Sequence, residues 1–256
     1  MKIKKIIVLA ISLCLVGCKG DDIREFRHSG YTFNNESFSC KEVEKVKFLY
    51  DNFLVSENND IYYISLDLPY SNKSNCRLIN SNEKMQSIYG EEAFKSFNNI
   101  IYSFDFKNYT DFPIMNNSNN IIETLLNDNT NLKIINNDNH YYILKNDGNI
   151  YDYVIEQNEN IISIISNALI YSSNNLDGKI IDFYYSQQMP LNYIKTNTTY
   201  YTFKPINEDC KKYADIECNY ELKKDDLLNK YSKEIYAYNG KKVILSNGKI
   251  LDNSIN

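Results

Sequence analysis

Short apolar or aromatic runs in this chain repeatedly meet a polar turn of Asn, Asp or Gly and then resume. Phe53-Leu54-Val55 leads through Glu57-Asn58-Asn59-Asp60 to Ile61-Tyr62-Tyr63-Ile64. Tyr141-Tyr142-Ile143-Leu144 leads through Lys145-Asn146-Asp147-Gly148 to Ile150-Tyr151-Asp152-Tyr153, and Val243-Ile244-Leu245 through Ser246-Asn247-Gly248 to Lys249-Ile250-Leu251. Less regular versions run from Ser96 to Phe106 and from Ala168 to Tyr185, the latter with Asp177-Gly178. Such turns need a residue that accepts positive φ, so Asn-Gly and Asp-Gly between strand-like runs predict antiparallel hairpins. The chain has 23 Tyr and 12 Phe, side chains that favour strands and supply a large core.

The return strands are expected to begin near Ile61, Ile100, Ile150, Ile180 and Ile250. This grammar resembles the blades of β-propellers, though no WD or kelch signature repeats; a plain antiparallel sandwich shares it. The expected class is therefore mainly β, antiparallel and hairpin-rich, propeller-like or a sandwich, with a few short helices. An α+β fold is the alternative. Helical spacing is read at Asn82–Asn98 (Met85, Ile88, Phe94, Phe97), Asn120–Asn127 and Lys223–Tyr236, while Glu159–Ile170 fits helix or strand. The Asn-rich stretch 115–120 is the candidate internal break within a globular region of residues 31–256.

The N-terminus sets the address. Lys2, Lys4 and Lys5 precede an apolar run from Ile6 to Val16, too short to span a bilayer comfortably. The run ends in Leu15-Val16-Gly17-Cys18, which resembles the lipobox of bacterial lipoproteins. The resemblance implies a signal peptide over residues 1–17, cleavage before Cys18, and acylation of Cys18. It also implies a tether over residues 18–30 and attachment to membrane lipid. Lys19 following the cysteine favours the outer membrane in a cell that has two.

Cleavage removes three lysines and no acids, taking the net charge from −5 to −8. That charge argues against nucleic acid as a partner. Export permits disulfides among Cys40, Cys76, Cys210 and Cys218, and proximity favours Cys40–Cys76 and Cys210–Cys218. No CxxC occurs, and His28 and His140 lie far from any cysteine pair, so no metal site and no cofactor are expected. No nucleophile-elbow, zincin, P-loop or dinucleotide motif appears. The acid pairs Glu91-Glu92 and Asp225-Asp226 are adjacent and point apart, a poor geometry for paired acid/base work.

Tyrosine doublets remain. In a strand one member of each pair faces out, so Tyr62, Tyr141, Tyr184 and Tyr200 are candidate binding residues, with cross-strand packing as the plainer role. The functional expectation is a non-enzymatic, membrane-anchored envelope protein that binds or scaffolds another envelope protein. Surface-structure assembly, secretion and host colonisation are its candidate settings. An anchored solute- or glycan-binding protein is the alternative.

Overall fold

Strands dominate the computed structural model, which describes residues 25–26, 31–64, 76–79, 83–104, 113–115, 121–158, 161–185, 192–206 and 220–253. Cys18, His28, Cys210, Cys218, residues 1–24 and 27–30 and residues 116–120 lie outside the described residues; of the expected tether, Glu25 and Phe26 are described, and Phe26 is buried in a core cluster.

The strands form successive antiparallel meanders. Blade 1 is, from the centre outward, β2 (Val46–Leu49), β3 (Phe53–Ser56), β4 (Ile61–Ile64) and β5 (Cys76–Leu78). Blade 2 is β6 (Met85–Tyr89), β7 (Ala93–Ser96) and β8 (Ile101–Ser103), whose outer edge is bridged by Ile114 to Tyr102. Helix α1 (Ile121–Asn127) leads into blade 3: β9 (Asn131–Asn137), β10 (His140–Lys145), β11 (Ile150–Asn158) and β12 (Ile161–Tyr171). Blade 4 is β13 (Ile180–Tyr184), β14 (Tyr193–Thr196), β15 (Tyr200–Pro205) and β16 (Tyr220–Lys224). After helix α2 (Asp226–Lys230), blade 5 is β17 (Ile235–Tyr238), β18 (Lys242–Leu245) and β19 (Lys249–Asn253). Its fourth strand is the N-terminal β1 (Tyr31–Ser37), antiparallel to β19.

Five buried clusters join these blades in a closed cycle. Phe48, Phe53 and Val55 of blade 1 pack on Ile88 and Phe94 of blade 2. Tyr89 and Ala93 pack on Ile134 and Ile143 of blade 3. Leu144 and Ile150 meet Ile180 and Ile194 of blade 4. Tyr193 and Tyr200 meet Val243 and Leu251 of blade 5. Ala237 and Ile244 return to Leu49 and Leu54 of blade 1. Each sheet is thus covered on both faces, and all four residues of β3, β7 and β18 are buried. The first strands of blades 2 and 3 touch along a short parallel pairing, Ile88 with Lys133 and Tyr89 with Ile134. The architecture is a five-bladed, propeller-like ring, one of the ways an all-β chain limits open sheet edges.

One hydrogen bond recurs in every blade. The residue after the second strand donates its N–H to the carbonyl just before the first strand. The pairs are Glu57 to Lys45 (3.1 Å), Phe97 to Lys84 (3.1 Å), Asn146 to Thr130 (2.8 Å), Asn197 to Lys179 (3.0 Å) and Ser246 to Glu234 (2.7 Å). The turns at Asn59, Asn99, Gly148 and Gly248 all carry positive φ three residues after the second strand ends. This is the three-residue hairpin with a left-handed final residue.

Several expectations are corrected. Within the stretch Asn82–Asn98, the described residues 83–98 are not helical; they hold β6 and β7, whose apolar residues break strict alternation because both faces are buried. Lys223–Tyr236 contains only the short α2 as helix, capped by Asp225; of the two readings left open for Glu159–Ile170, strand is the one found, as β12 from Ile161. Ile180 opens the first strand of blade 4 and is not a return strand, and Asp177-Gly178 lies in the link from blade 3 to blade 4. With two short α-helices among the described residues, the mainly β class holds and the α+β alternative does not.

Ring closure is covalent as well. Cys40, between β1 and β2, is disulfide-bonded to Cys76 on β5, with Cα atoms 5.2 Å apart. The bond ties the strand that completes blade 5 to the outer strand of blade 1.

Candidate site at the ring axis

The innermost strands bring residues distant in sequence together at the axis. Lys133 on β9 is almost wholly buried, with Nζ 2.7 Å from Oδ1 of Asp182 on β13. Its Nζ also lies over the rings of Phe48 (4.9 Å), Tyr50 (5.0 Å) and Phe183 (5.8 Å). Aromatic faces stabilise a desolvated cation. The other Asp182 oxygen accepts the Tyr193 hydroxyl at 2.7 Å, and Oδ1 also accepts the Phe183 N–H at 2.9 Å. Burial first, then the Asp182 charge, pushes the Tyr193 phenol well up. Burial pulls the Lys47 ammonium down, and Asp182 opposes that pull.

The turns from first to second strands share one face of the ring. On that face a cavity of about 190 Å³ is lined by Leu49, Tyr50, Asp51, Glu91, Tyr184, Asn239 and Lys241. These residues come from blades 1, 2, 4 and 5. Asn239 donates its side-chain N–H to Asp51 at 3.1 Å. Burial and the neighbouring Asp51 charge push the Glu91 carboxyl up, against the Asp51 N–H and Lys133, which pull it down. Tyr50 is buried, its ring stacked on Phe53 at 4.4 Å, and its hydroxyl has no hydrogen-bond partner. Burial is the main cause that raises its phenol. A wider hollow of about 430 Å³ lies at the ring closure beside Cys40, lined largely by the Ser246–Gly248 turn.

The candidate tyrosines divide. Tyr62, Tyr141 and Tyr200 are buried between blades and serve as packing. Tyr184 alone of the four lines the axial cavity. His140 pairs through Nδ1 with Asp152 at 2.9 Å on the neighbouring strand. Among the described residues no group of three or more His, Cys, Asp or Glu is placed to hold a metal ion. The sequence reading missed Tyr50, Asp51, Lys133 and Asp182, and it set Glu91 aside as half of an adjacent acid pair. A signal existed: Tyr50, Tyr89, Tyr184 and Tyr238 all stand at the exit of an innermost strand, just before a polar turn. Aligning the hairpins on that tyrosine places Asp51, Glu91 and Asn239 in equivalent turns.

No protein-family model matches the chain, and no curated protein matches it. Among solved structures, Prp20p from Saccharomyces cerevisiae, whose crystal structure was described with its binding properties to Gsp1p and histones, aligns with 69% of this chain and 50% of its own length. The chain therefore spans half of that protein; at 9% identity and a TM-score of 0.29, the likeness carries no argument about fold or function.

Proposed function

We propose that this chain is an exported lipoprotein, held to the membrane through acylated Cys18, that binds an extended segment of another envelope protein without catalysing a reaction. In a cell with two membranes the outer one is its place. The observation that carries the reading is strand β12. It is the outer edge of blade 3, 11 residues long, and carries no charged residue. Ile161, Ile164, Ile165 and Leu169 on it are 69%, 51%, 56% and 54% exposed. Edge strands of monomeric proteins are usually short or guarded by Lys or Pro, because open backbone groups recruit further strands. A long, uncharged, apolar edge fits addition of a partner strand, with backbone bonds for affinity and side chains for specificity. The adjoining β11 carries Asp152 and Glu156, and the whole chain is acidic. Two copies would bring like charges together, so the occupant is a different protein with a neutral or basic segment.

Crosslinking of the anchored protein in its own cell, followed by mapping of the crosslinked peptides, tests this. The expected result is one partner crosslinked at β12, lost in Ile164→Lys/Ile165→Lys while the melting temperature holds. Crosslinks only between copies of this chain, or a partner unaffected by the variant, would overturn it. Mass analysis of the mature chain tests the anchor: acyl chains on an N-terminal Cys18 are expected, and an unmodified or uncleaved terminus refutes them.

A further inference from the structure

Glu25 and Phe26 are pinned to one place on the ring. Phe26 is wholly buried, its ring 5.3 Å from that of Tyr231, in the cluster that includes Leu228 of α2 and Val243 of blade 5. Beside it, Lys230 at the end of α2 donates to both Glu25 carboxylate oxygens, at 2.6 and 2.7 Å. Burial of the ring supplies the adhesion, and the charge-assisted bonds fix its direction. The helix itself sits on a definite face. The first-to-second-strand turns lie on the axial-cavity face, so the blade-to-blade links and the second-to-third-strand turns lie on the other, where a hydrogen bond joins them in every blade. Helix α2 belongs to the link from blade 4 to blade 5. Residues 19–24 separate Cys18 from Glu25. The seven Cα steps between those two residues reach at most about 25 Å.

We infer that the clamp of Glu25 and Phe26 on α2 turns the link face of the ring toward the lipid headgroup layer and the axial-cavity face away from it. The inference rests on the Cys18 anchor proposed above. The opposite orientation would need the chain to pass the full depth of blade 5 before reaching lipid. That depth is the four-residue β17, about 13 Å long, plus a turn on each face. It would hold residues 18–25 near full extension, at the cost of most of their conformational freedom. The orientation also places the proposed partner edge. Strand β10 covers β11 only from Ile150 to Val154, whereas β11 runs on to Asn158 and β12 begins at Ile161. This uncovered end, with Ile161 and Ile164 exposed, lies on the cavity face and so points away from the membrane, where a partner strand meets it unobstructed by lipid.

Energy transfer from the protein to labelled lipid tests it. The chain has no tryptophan, so a single introduced tryptophan is an unmixed donor. Lys233→Trp places it on the α2 face and Lys241→Trp on the cavity face; both positions are exposed and they flank β17 within one blade. The acylated protein, extracted from the membrane of a host that processes lipoproteins, is reconstituted into phosphatidylethanolamine–phosphatidylglycerol vesicles that carry a dansyl-headgroup lipid as acceptor. Transfer from Lys233→Trp should exceed that from Lys241→Trp severalfold. Phe26→Ser in both backgrounds should bring the two efficiencies together, and the comparison without Phe26→Ser decides the orientation even where that variant does not fold. Equal transfer from the two positions, or stronger transfer from Lys241→Trp, would overturn the orientation and leave the anchor standing. A difference that survives in folded Phe26→Ser would overturn the clamp as its cause. Protein that carries no acyl mass on Cys18 and does not sediment with the vesicles would overturn the anchor and the orientation together.

Discussion

Lys133 and Asp182 form a buried ion pair across blades 3 and 4, 2.7 Å apart and closed to water. Asp182 is further satisfied by Tyr193 and Phe183, and Lys133 by three aromatic faces. Breaking one side of such a pair strands the other charge, whereas replacing both with apolar groups of similar volume can be nearly neutral. Asp182→Leu should therefore cost about 3–5 kcal/mol, and Lys133→Met/Asp182→Leu much less. Urea unfolding of both variants checks this; equal losses would show that the two charges are not coupled.

The disulfide should govern closure of the ring. Cys40 and Cys76 are 36 residues apart, and a cross-link of that span contributes about 4 kcal/mol on a chain-entropy basis. It also holds β1 where it must complete blade 5. Cys40→Ser/Cys76→Ser should lower the melting temperature by about 8–16 °C in a domain of this size, with strand content retained below the transition. Calorimetry against the oxidised wild type measures the difference. A loss confined to a degree or two would mean that β1–β19 pairing closes the ring alone.

Gly248 is under a tighter constraint than the other left-handed turn residues. Its φ is +83°, and an added Cβ would lie 2.4 Å from the Phe38 carbonyl oxygen. Phe38 also donates its N–H to the Gly248 carbonyl at 2.7 Å, which fixes the distance between the two backbones. Gly248→Ala should cost about 1–3 kcal/mol in backbone strain, with the clash in addition. Asn99, at φ +63°, holds the equivalent place in blade 2. Asn99→Gly should change stability by less than about 0.5 kcal/mol. Denaturant midpoints of the two variants separate the cases.

These turns also mark how far the sequence could be read. The hairpins at Asn59, Gly148 and Gly248 were legible because a left-handed residue leaves an Asn or Gly behind. The equivalent turn of blade 4, Asn197-Thr198-Thr199, contains no glycine. It is held by the Thr196 and Thr198 hydroxyls, which both donate to the Asp177 carbonyl at 2.6 Å. The conspicuous Asp177-Gly178 pair serves that turn from outside: a Cβ at Gly178 would strike Asn197 and Thr198. Strands β6 and β7 were misread because burial on both faces erases the period of two. The axial site was illegible for another reason. Its members come from separate blades, and only ring closure brings Asn239 beside Asp51.

Asp225 should give the fold a measurable acid sensitivity. Its carboxylate caps α2 by accepting the Leu228 N–H at 2.9 Å, and it also accepts the Thr202 hydroxyl at 2.9 Å and the Lys204 ammonium at 3.1 Å. Burial pushes this carboxyl up, but the Lys204 charge and these hydrogen bonds outweigh it and hold it below its ordinary value of 3.8. A group with a depressed folded value stabilises the fold above its unfolded value and loses that contribution as pH falls through the folded one. Asp225→Asn keeps a capping oxygen, since Asn is as good a cap as Asp, but deletes the charge. The variant should be about 1–2 kcal/mol less stable at neutral pH, the scale of a charge-assisted hydrogen bond. That gap should stay constant down to about pH 4, the unfolded value, and narrow below it. Unfolding free energies of both proteins between neutral pH and pH 3 test this, and a gap that widens in acid would show that the carboxylate is not held in its charged form by Lys204 and its hydrogen bonds.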